Sequence, residues 1–188
     1  MRHLSDQEII DSVRKGNSSD YSIIVNRYKN KAFSILKRML KNQFDAEEVL
    51  QDCFLKAYRS LNAFKGDSKF STWFYRIVYN SALTKLTSQK RRTESEMTSV
   101  EDHFNLESEY NSYEFEKKDV KELIHETISK LPEKYSAIIT MFYLNEMTID
   151  EISQVMGITI SNVKVMLHRS RNALRDLILR TNLTEEII

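Results

Sequence analysis

The chain has 188 residues, with one cysteine, three glycines and one proline. A single thiol excludes a disulfide framework within the chain, as suits a reducing compartment, and no apolar run approaches the ~20 residues that cross a bilayer. The formal net charge is only +1, so the total says little about partners; its distribution says more.

Residues 1–92 hold 18 Lys/Arg against 9 Asp/Glu, a net of +9; residues 93–119 hold 2 against 9, a net of −7; residues 120–188 hold 8 against 9, a net of −1. A basic block, an acidic strip and a mixed block follow one another. Such asymmetry points to a polyanion partner for the first block, with ordinary solvated helix faces as the plainer alternative. Scarce Gly and Pro, together with long stretches of 3.6-residue periodicity, predict an all-α protein. The organisation expected is two small helical domains joined by a flexible acidic linker, the C-terminal one a helix-turn-helix. The N-terminus lacks the apolar segment of a signal peptide.

In chain order, helices are expected near 5–14, 19–41, 45–62 and 71–90, then near 114–129, 132–144, 148–155 and 160–180. Three helix starts are spelled out by capping residues. In "LSDQEI", Ser5 caps, Glu8 returns the bond, and Leu4 staples against Ile9. "FDAEEV" offers Asp45, Glu48, Phe44 and Val49 in the same places; "MTIDEI" offers Thr148, Glu151, Met147 and Ile152. Pro132 suits a first helical turn.

The helix from 45 places Val49, Cys53 or Phe54, and Ala57 on one buried stripe. Asp45, Glu48 and Asp52 form an acidic row. Carboxylates so spaced can bind a metal or move protons. No histidine and no Gly-rich phosphate loop accompanies them, so a solvated face or a docking face for a basic partner reads better. Cys53, among apolar neighbours, reads as a small buried hydrophobe.

A short loop, "NAFKGDSKF", follows with Gly66, and then "FSTWFYRIVYN" opens a helix with Ser71 as the expected cap. At ~100° per residue, Trp73, Phe74, Ile77, Val78, Ser81 and Ala82 share the core half. Arg76, Asn80 and Leu83 lie opposite, with Tyr75, Tyr79 and Leu86 at the margin. Exposed Arg and Asn beside tyrosines, next to Phe64 and Lys65, make a candidate platform for single-stranded nucleic acid. Tyrosines snorkelling at the edge of a core would give the same pattern.

Residues 148–178 read as a helix-turn-helix. Ile149, Ile152 and Val155 point inward, and Gly157 sits at the turn where a left-handed backbone favours glycine. Small Ser153 lies where the two helices approach. The second helix buries Ile160, Val163, Leu167, Leu174 and Leu177, and offers Asn162, Lys164, Val165, His168, Arg169, Arg171 and Asn172 on its other face. Such a face fits the major groove, where Arg and Lys donate to guanine or phosphate and Asn pairs with adenine. A charged surface helix in an ordinary bundle is the alternative.

Both constellations, in this order across an acidic strip, resemble the extracytoplasmic-function sigma factors of the sigma-70 family. The most specific stretches are "DAEEVLQDCFLKAYRSLNAFKGDSKFSTWFYRIVYN" and "LPEKYSAIITMFYLNEMTIDEISQVMGI". The resemblance implies a subunit of bacterial RNA polymerase that directs promoter recognition. It implies a docking face for core polymerase at Asp45, Glu48, Gln51 and Asp52. The loop from Phe64 to Phe70, with Lys65 and Lys69, would capture a flipped non-template base of the −10 element. Arg76, Asn80, Thr84 and Lys85 would lie on the helix behind it. Residues 93–119 match the linker that threads toward the RNA exit path, and residues 120–188 match the reader of the duplex −35 element, with Lys164 and Arg169 on contact positions. Where the family commonly carries Gly-Thr and Ser-Arg, this chain has Ser161-Asn162 and Val165-Met166, so the −35 sequence does not carry over. Tyr135 stands where the family often has Arg. An anti-sigma factor is an expected partner. No catalytic residue, metal, cofactor or direct membrane insertion is expected, and the location expected is cytoplasmic. The competing readings are a free-standing helix-turn-helix regulator, which leaves "FSTWFYRIVYN" unexplained, and a metal-dependent nucleic-acid enzyme built on the acidic row.

Overall fold

A computed structural model of the chain describes residues 4–98 and 120–180, and among these every regular element is helical. The first unit contains α1 (Asp6–Arg14), α2 (Tyr21–Leu40), α3 (Gln43–Arg59) and α4 (Phe70–Thr98). The second contains α5 (Val120–Lys130), α6 (Glu133–Ile139), α7 (Ile149–Met156) and α8 (Ile160–Arg180). A π-helical turn, Thr140–Leu144, continues α6. From residue 99 to 119 the expected acidic linker lies outside the described residues, as do 114–119 of the helix expected there.

Two of the three expected capping boxes form, at Ser5 with Glu8 and at Thr148 with Glu151. The third does not. Asn42 caps α3 by accepting the Asp45 N–H at 3.1 Å, which places Asp45 inside the first turn. Phe44 is consequently 82% exposed and staples nothing. Ser71 likewise falls inside its helix, because α4 begins at Phe70. Pro132 stands one place before its helix, as the cap of α6. α4 also runs past residue 90, since no Gly or Pro stops it before Thr98.

The expected core stripe of α3 is buried, with both Cys53 and Phe54 in it, and Val49, Cys53 and Ala57 join Ile24, Leu36 and Met39 of α2 in one core. On α4 the buried arc is displaced from expectation. Phe74, Val78 and Ala82 are buried as foreseen, but Tyr75 and Tyr79 are only 4% and 3% exposed, while Trp73 and Ile77 are half-buried. The reason is tertiary: α4 packs against α2 and α3 and also against α7 of the second unit. A helix covered from two directions buries more than one stripe.

The two units therefore pack against each other. A continuous buried cluster joins Ile24, Leu36 and Phe74 of the first to Ile138, Met141 and Ile152 of the second. Each such side chain, fully buried, contributes about 1.5–3 kcal/mol. Polar contacts stitch the junction. Lys31 Nζ donates to the Asn145 carbonyl at 3.2 Å, Asn145 Nδ2 donates to the Lys31 carbonyl at 3.3 Å, and Ser34 Oγ donates to Asn145 Oδ1 at 3.4 Å. Arg38 donates to the Ser34 carbonyl at 3.0 Å and meets His125 Nδ1 from α5. Burial lowers the Arg38 pKa, because the charged form loses its hydration. Lys69 and Glu151 pair at 2.8 Å.

In the second unit the turn between α7 and α8 has the geometry its residues dictate. Gly157 adopts φ +67° and donates to the Ser153 carbonyl at 2.9 Å. Ser153 Oγ in turn donates to the Ile158 carbonyl. Of the expected α8 stripe Val163 and Leu167 are buried, Leu174 and Leu177 are half-buried beside the small core of Ile128, Leu131 and Ile139, and Ile160 is 45% exposed because it begins α8 at the solvent side of the turn.

Candidate nucleic-acid interface

Three surfaces carry the expected site residues. The first is α3. Glu48, Gln51 and Asp52 are exposed along it, and Asp45 is half-buried. The row is not bare. Lys85 of α4 places Nζ 2.9 Å from Asp45 Oδ1 and 2.7 Å from Glu48 Oε2, and Gln89 donates to Asp45 Oδ2 at 2.9 Å. Hydrogen bonding to Glu48 first, then to Asp45, raises the Lys85 pKa. Lys85, which the resemblance places behind the −10 loop, is thus paired with the acidic row in this structure. Beside that row stand the exposed apolar side chains Phe44, Leu55 and Tyr58. Among the described residues no group of His, Cys, Asp or Glu is arranged to hold a metal ion.

The second surface is the loop before α4 with the exposed face of that helix. Phe64 and Phe70 are buried, their rings edge to face at 5.6 Å, and each touches Trp73. Their rings form the floor of the loop; its outward parts are Lys65, Gly66 and Lys69. Arg14 at the end of α1 pins the loop from behind, donating to the Leu61 carbonyl at 2.8 Å and also to the Phe64 carbonyl. Spacing along α1 gave no hint of this role, since the partner carbonyls lie some fifty residues away. Gly66 holds φ +82°, a backbone that a side chain would strain.

On α4, Arg76, Asn80 and Thr84 are exposed in one row, and Thr84 Oγ1 donates to the Asn80 carbonyl at 3.0 Å. Trp73 and Ile77 flank them, half-buried. These two, not the tyrosines, border the exposed row. Burial raises the pKa of both Tyr75 and Tyr79. The aromatic available at this face is the tryptophan.

The third surface is α8. Asn162, Lys164, Val165, His168 and Arg169 are all exposed, while Val163, Leu167 and Ser170 face the core. Arg171 is exposed but already engaged. Its Nε donates to Tyr143 Oη at 2.6 Å, and its guanidinium lies 5.8 Å and 5.6 Å from the Phe142 and Tyr143 ring centres. It braces α8 against the π-helical turn, a geometry in which cation and ring attract.

An α-helical pair whose second helix projects polar residues, joined to a four-helix unit with a cation-bearing aromatic face, defines the class of an all-helical protein suited to nucleic acid. Comparison with known proteins bears on this directly. The profile of sigma-70 region 2 matches residues 24–92, and that of sigma-70 region 4 matches residues 121–174. The chain is 32% identical over 185 residues to the ECF RNA polymerase sigma-E factor of Haemophilus influenzae, covering 92% of this chain and 95% of that one. It is also 32% identical over 178 residues to the Escherichia coli K12 sigma-E factor, covering 91% and 93%. Among solved structures, the fold matches CnrH in complex with the cytosolic domain of CnrY, at TM-score 0.66, 20% identity and coverage of 95% and 99%. It matches Bartonella quintana RpoE in complex with the anti-sigma factor NepR at TM-score 0.64, 18% identity and coverage of 85% and 96%. The chain belongs to the ECF sigma factors of the sigma-70 family. It is an RNA polymerase sigma factor, an initiation factor that recognises promoters.

Proposed function

We propose a division of labour among the three surfaces. Residues 1–92 dock on core polymerase through Glu48, Gln51 and Asp52, with Asp45 and Lys85 holding that row in shape. The same unit reads single-stranded −10 DNA with the Phe64–Phe70 loop and the Arg76–Asn80–Thr84 row. Residues 120–188 read duplex −35 DNA through Asn162, Lys164, Val165, His168 and Arg169, and residues 93–119 connect the two. The observation that carries this is the α4 face: an exposed Arg and Asn beside the chain's sole tryptophan, next to a loop pinned by Arg14. Bases stack on rings and phosphates meet cations on such surfaces. A base taken out of the stack loses stacking energy, which a shaped loop can offset. Phe64 and Phe70 act in this reading as the floor that keeps the loop in place.

The protein supplies recognition, and core polymerase supplies the chemistry, so no catalytic residue is assigned. It works in the cytoplasm, where polymerase and promoters are; no described helix is long and apolar enough to cross a membrane. An anti-sigma factor is a further partner, as for the Bartonella quintana relative.

Reading both elements requires the units to separate. The −10 and −35 names place their elements roughly 25 base pairs apart, or ~85 Å at ~3.4 Å per pair. A compact chain of this length has a radius of gyration of about 16 Å. The packed arrangement is therefore a resting form, and opening accompanies assembly on polymerase. The test is run-off transcription with purified protein, bacterial core polymerase and a promoter library. Specific start sites support the reading; no core binding and no specific starts would sink it, and duplex binding without core would favour a free-standing regulator.

A further inference from the structure

Beside the loop that opens α4 lies a cavity of about 250 Å³, smaller than the roughly 300–1,000 Å³ that hold drug-sized ligands. A single planar ring system suits that scale. The buried residues Phe64 and Phe70 line it, and one wall comes from the first turn of α1, with Asp6 and Gln7. Gly66 leaves its rim open, since no side chain projects there.

We propose that Gln7 and Asp6 read the captured base, by accepting hydrogen bonds from an exocyclic amino group on its edge. The proposal rests on the reading of the Phe64–Phe70 loop as the element that captures a base, and adds a reader from a helix far from that loop in sequence. The first observation behind it is the polarity of Gln7. Its Nε2 donates to Asp11 Oδ1 at 2.9 Å. An ionised carboxylate only accepts, so the amide nitrogen is committed there and Oε1 is the atom left for a ligand.

The second is the state of Asp6. Its two oxygens accept from Arg27 Nη1 and Tyr28 Oη. A carboxylate has about four acceptor sites, so each oxygen keeps room for a further donor. Arg27 also offsets the negative charge, which would otherwise repel a base carried on a phosphate chain. Both polar groups of this wall are therefore acceptors. Cytosine, adenine and guanine each carry an amino group to satisfy them, and thymine carries none.

The third is rigidity. α1 is fixed at its start by the Ser5–Glu8 capping box and by Arg27 Nη2, which donates to the Leu4 carbonyl at 2.8 Å. At its end Arg14 donates to the Leu61 carbonyl at 2.8 Å, which ties the same helix to the loop. Acceptors on a wall held at both ends are left unpaired by a base without the amino group, and that loss is what discriminates.

The test uses holoenzyme assembled from the full chain and bacterial core polymerase, with single-stranded oligonucleotides randomised across the −10 element. One position should return amino-bearing bases and no thymine. There, the selected base is replaced by its analogue without the amino group: pyrimidin-2-one for cytosine, purine for adenine, hypoxanthine for guanine. Binding should fall on the order of tenfold, the size of a lost hydrogen bond to a charged or fixed partner. Gln7→Leu, at an exposed position, should narrow that gap while its unfolding midpoint matches the parent's. A selected thymine, an analogue that binds as well as its parent base, or an unchanged gap in Gln7→Leu would overturn this proposal and leave the loop's capture of a base intact. Selection of no base at any position would overturn the capture reading, and this proposal with it.

Discussion

Lys85 of α4 reaches across to Asp45 of α3, with Nζ 2.9 Å from Oδ1, and holds Glu48 at 2.7 Å in the same grip. A cation placed by sequence among DNA contacts is thereby tied to the row assigned to polymerase. Lys85→Ala should therefore weaken core binding by at most about 1 kcal/mol, the range of a partly exposed ion pair. Single-stranded −10 binding by the protein alone should change little. Titration of core polymerase and of a −10 oligonucleotide separates the two; a loss confined to the oligonucleotide would return Lys85 to the DNA face.

Asn80 and Lys164 sit on different surfaces, so their losses should separate by assay. Asn80→Ala should impair −10-dependent opening, while Lys164→Ala should reduce duplex −35 affinity by about 1–3 kcal/mol if a base contact is removed. Permanganate footprinting reads the first and electrophoretic mobility the second. Equal effects of either variant in both assays would contradict the division of roles.

Asn145 holds the junction through its bonds to Lys31 and Ser34. Asn145→Ala removes the side-chain bonds at a buried position, at a cost of about 1–3 kcal/mol. The packed form should then give way more readily to the open one. Small-angle scattering should show a larger radius of gyration for the variant than for the parent at equal concentration.

Glu151 is held below the usual carboxylate range, first by its hydrogen bond from Lys69 and then by its own helix-start partner Thr148. A depressed folded-state pKa contributes stability that is present above the unfolded value, ~4.3, and is lost as pH falls through the folded one. The stability difference between the parent and Glu151→Gln should be constant from pH 6 to 8 and shrink only in acid, below about pH 4.5. Paired urea titrations across that range measure it; a difference that changes near neutrality would point to another group.

Burial pushes the Cys53 thiol up to about 11. The thiolate is the reactive species, so a disulfide reagent at pH 8 should label the protein at its unfolding rate and not faster. Rapid labelling of the native chain would show an opening of the α3–α4 contact that the structure does not have.

Much of this was written locally. Capping boxes at Ser5 and Thr148, the Gly157 turn, the stripe of α3 and the Val163–Leu167 part of the α8 stripe involve residues a few places apart, and local spacing determines them. The exposed faces of α8 and of Arg76 and Asn80 followed from the same periodicity. The division into two helical units around an acidic strip came instead from composition and the run of charge along the chain.

What periodicity could not supply is which neighbour covers a helix margin. Tyr75 and Tyr79 became core, and Trp73 and Ile77 became the border of the exposed row, because α4 is packed on two sides at once. Phe64 and Phe70 turned inward because their rings found Trp73, and the loop was fixed by Arg14 from a distant helix. Lys85 chose carboxylates on α3 because a long flexible side chain takes whichever partner the fold brings within reach. Sequence by itself determined the helices, their order and the faces they could offer. Only the tertiary structure decided which of those faces are free, since burial depends on contacts between residues far apart along the chain.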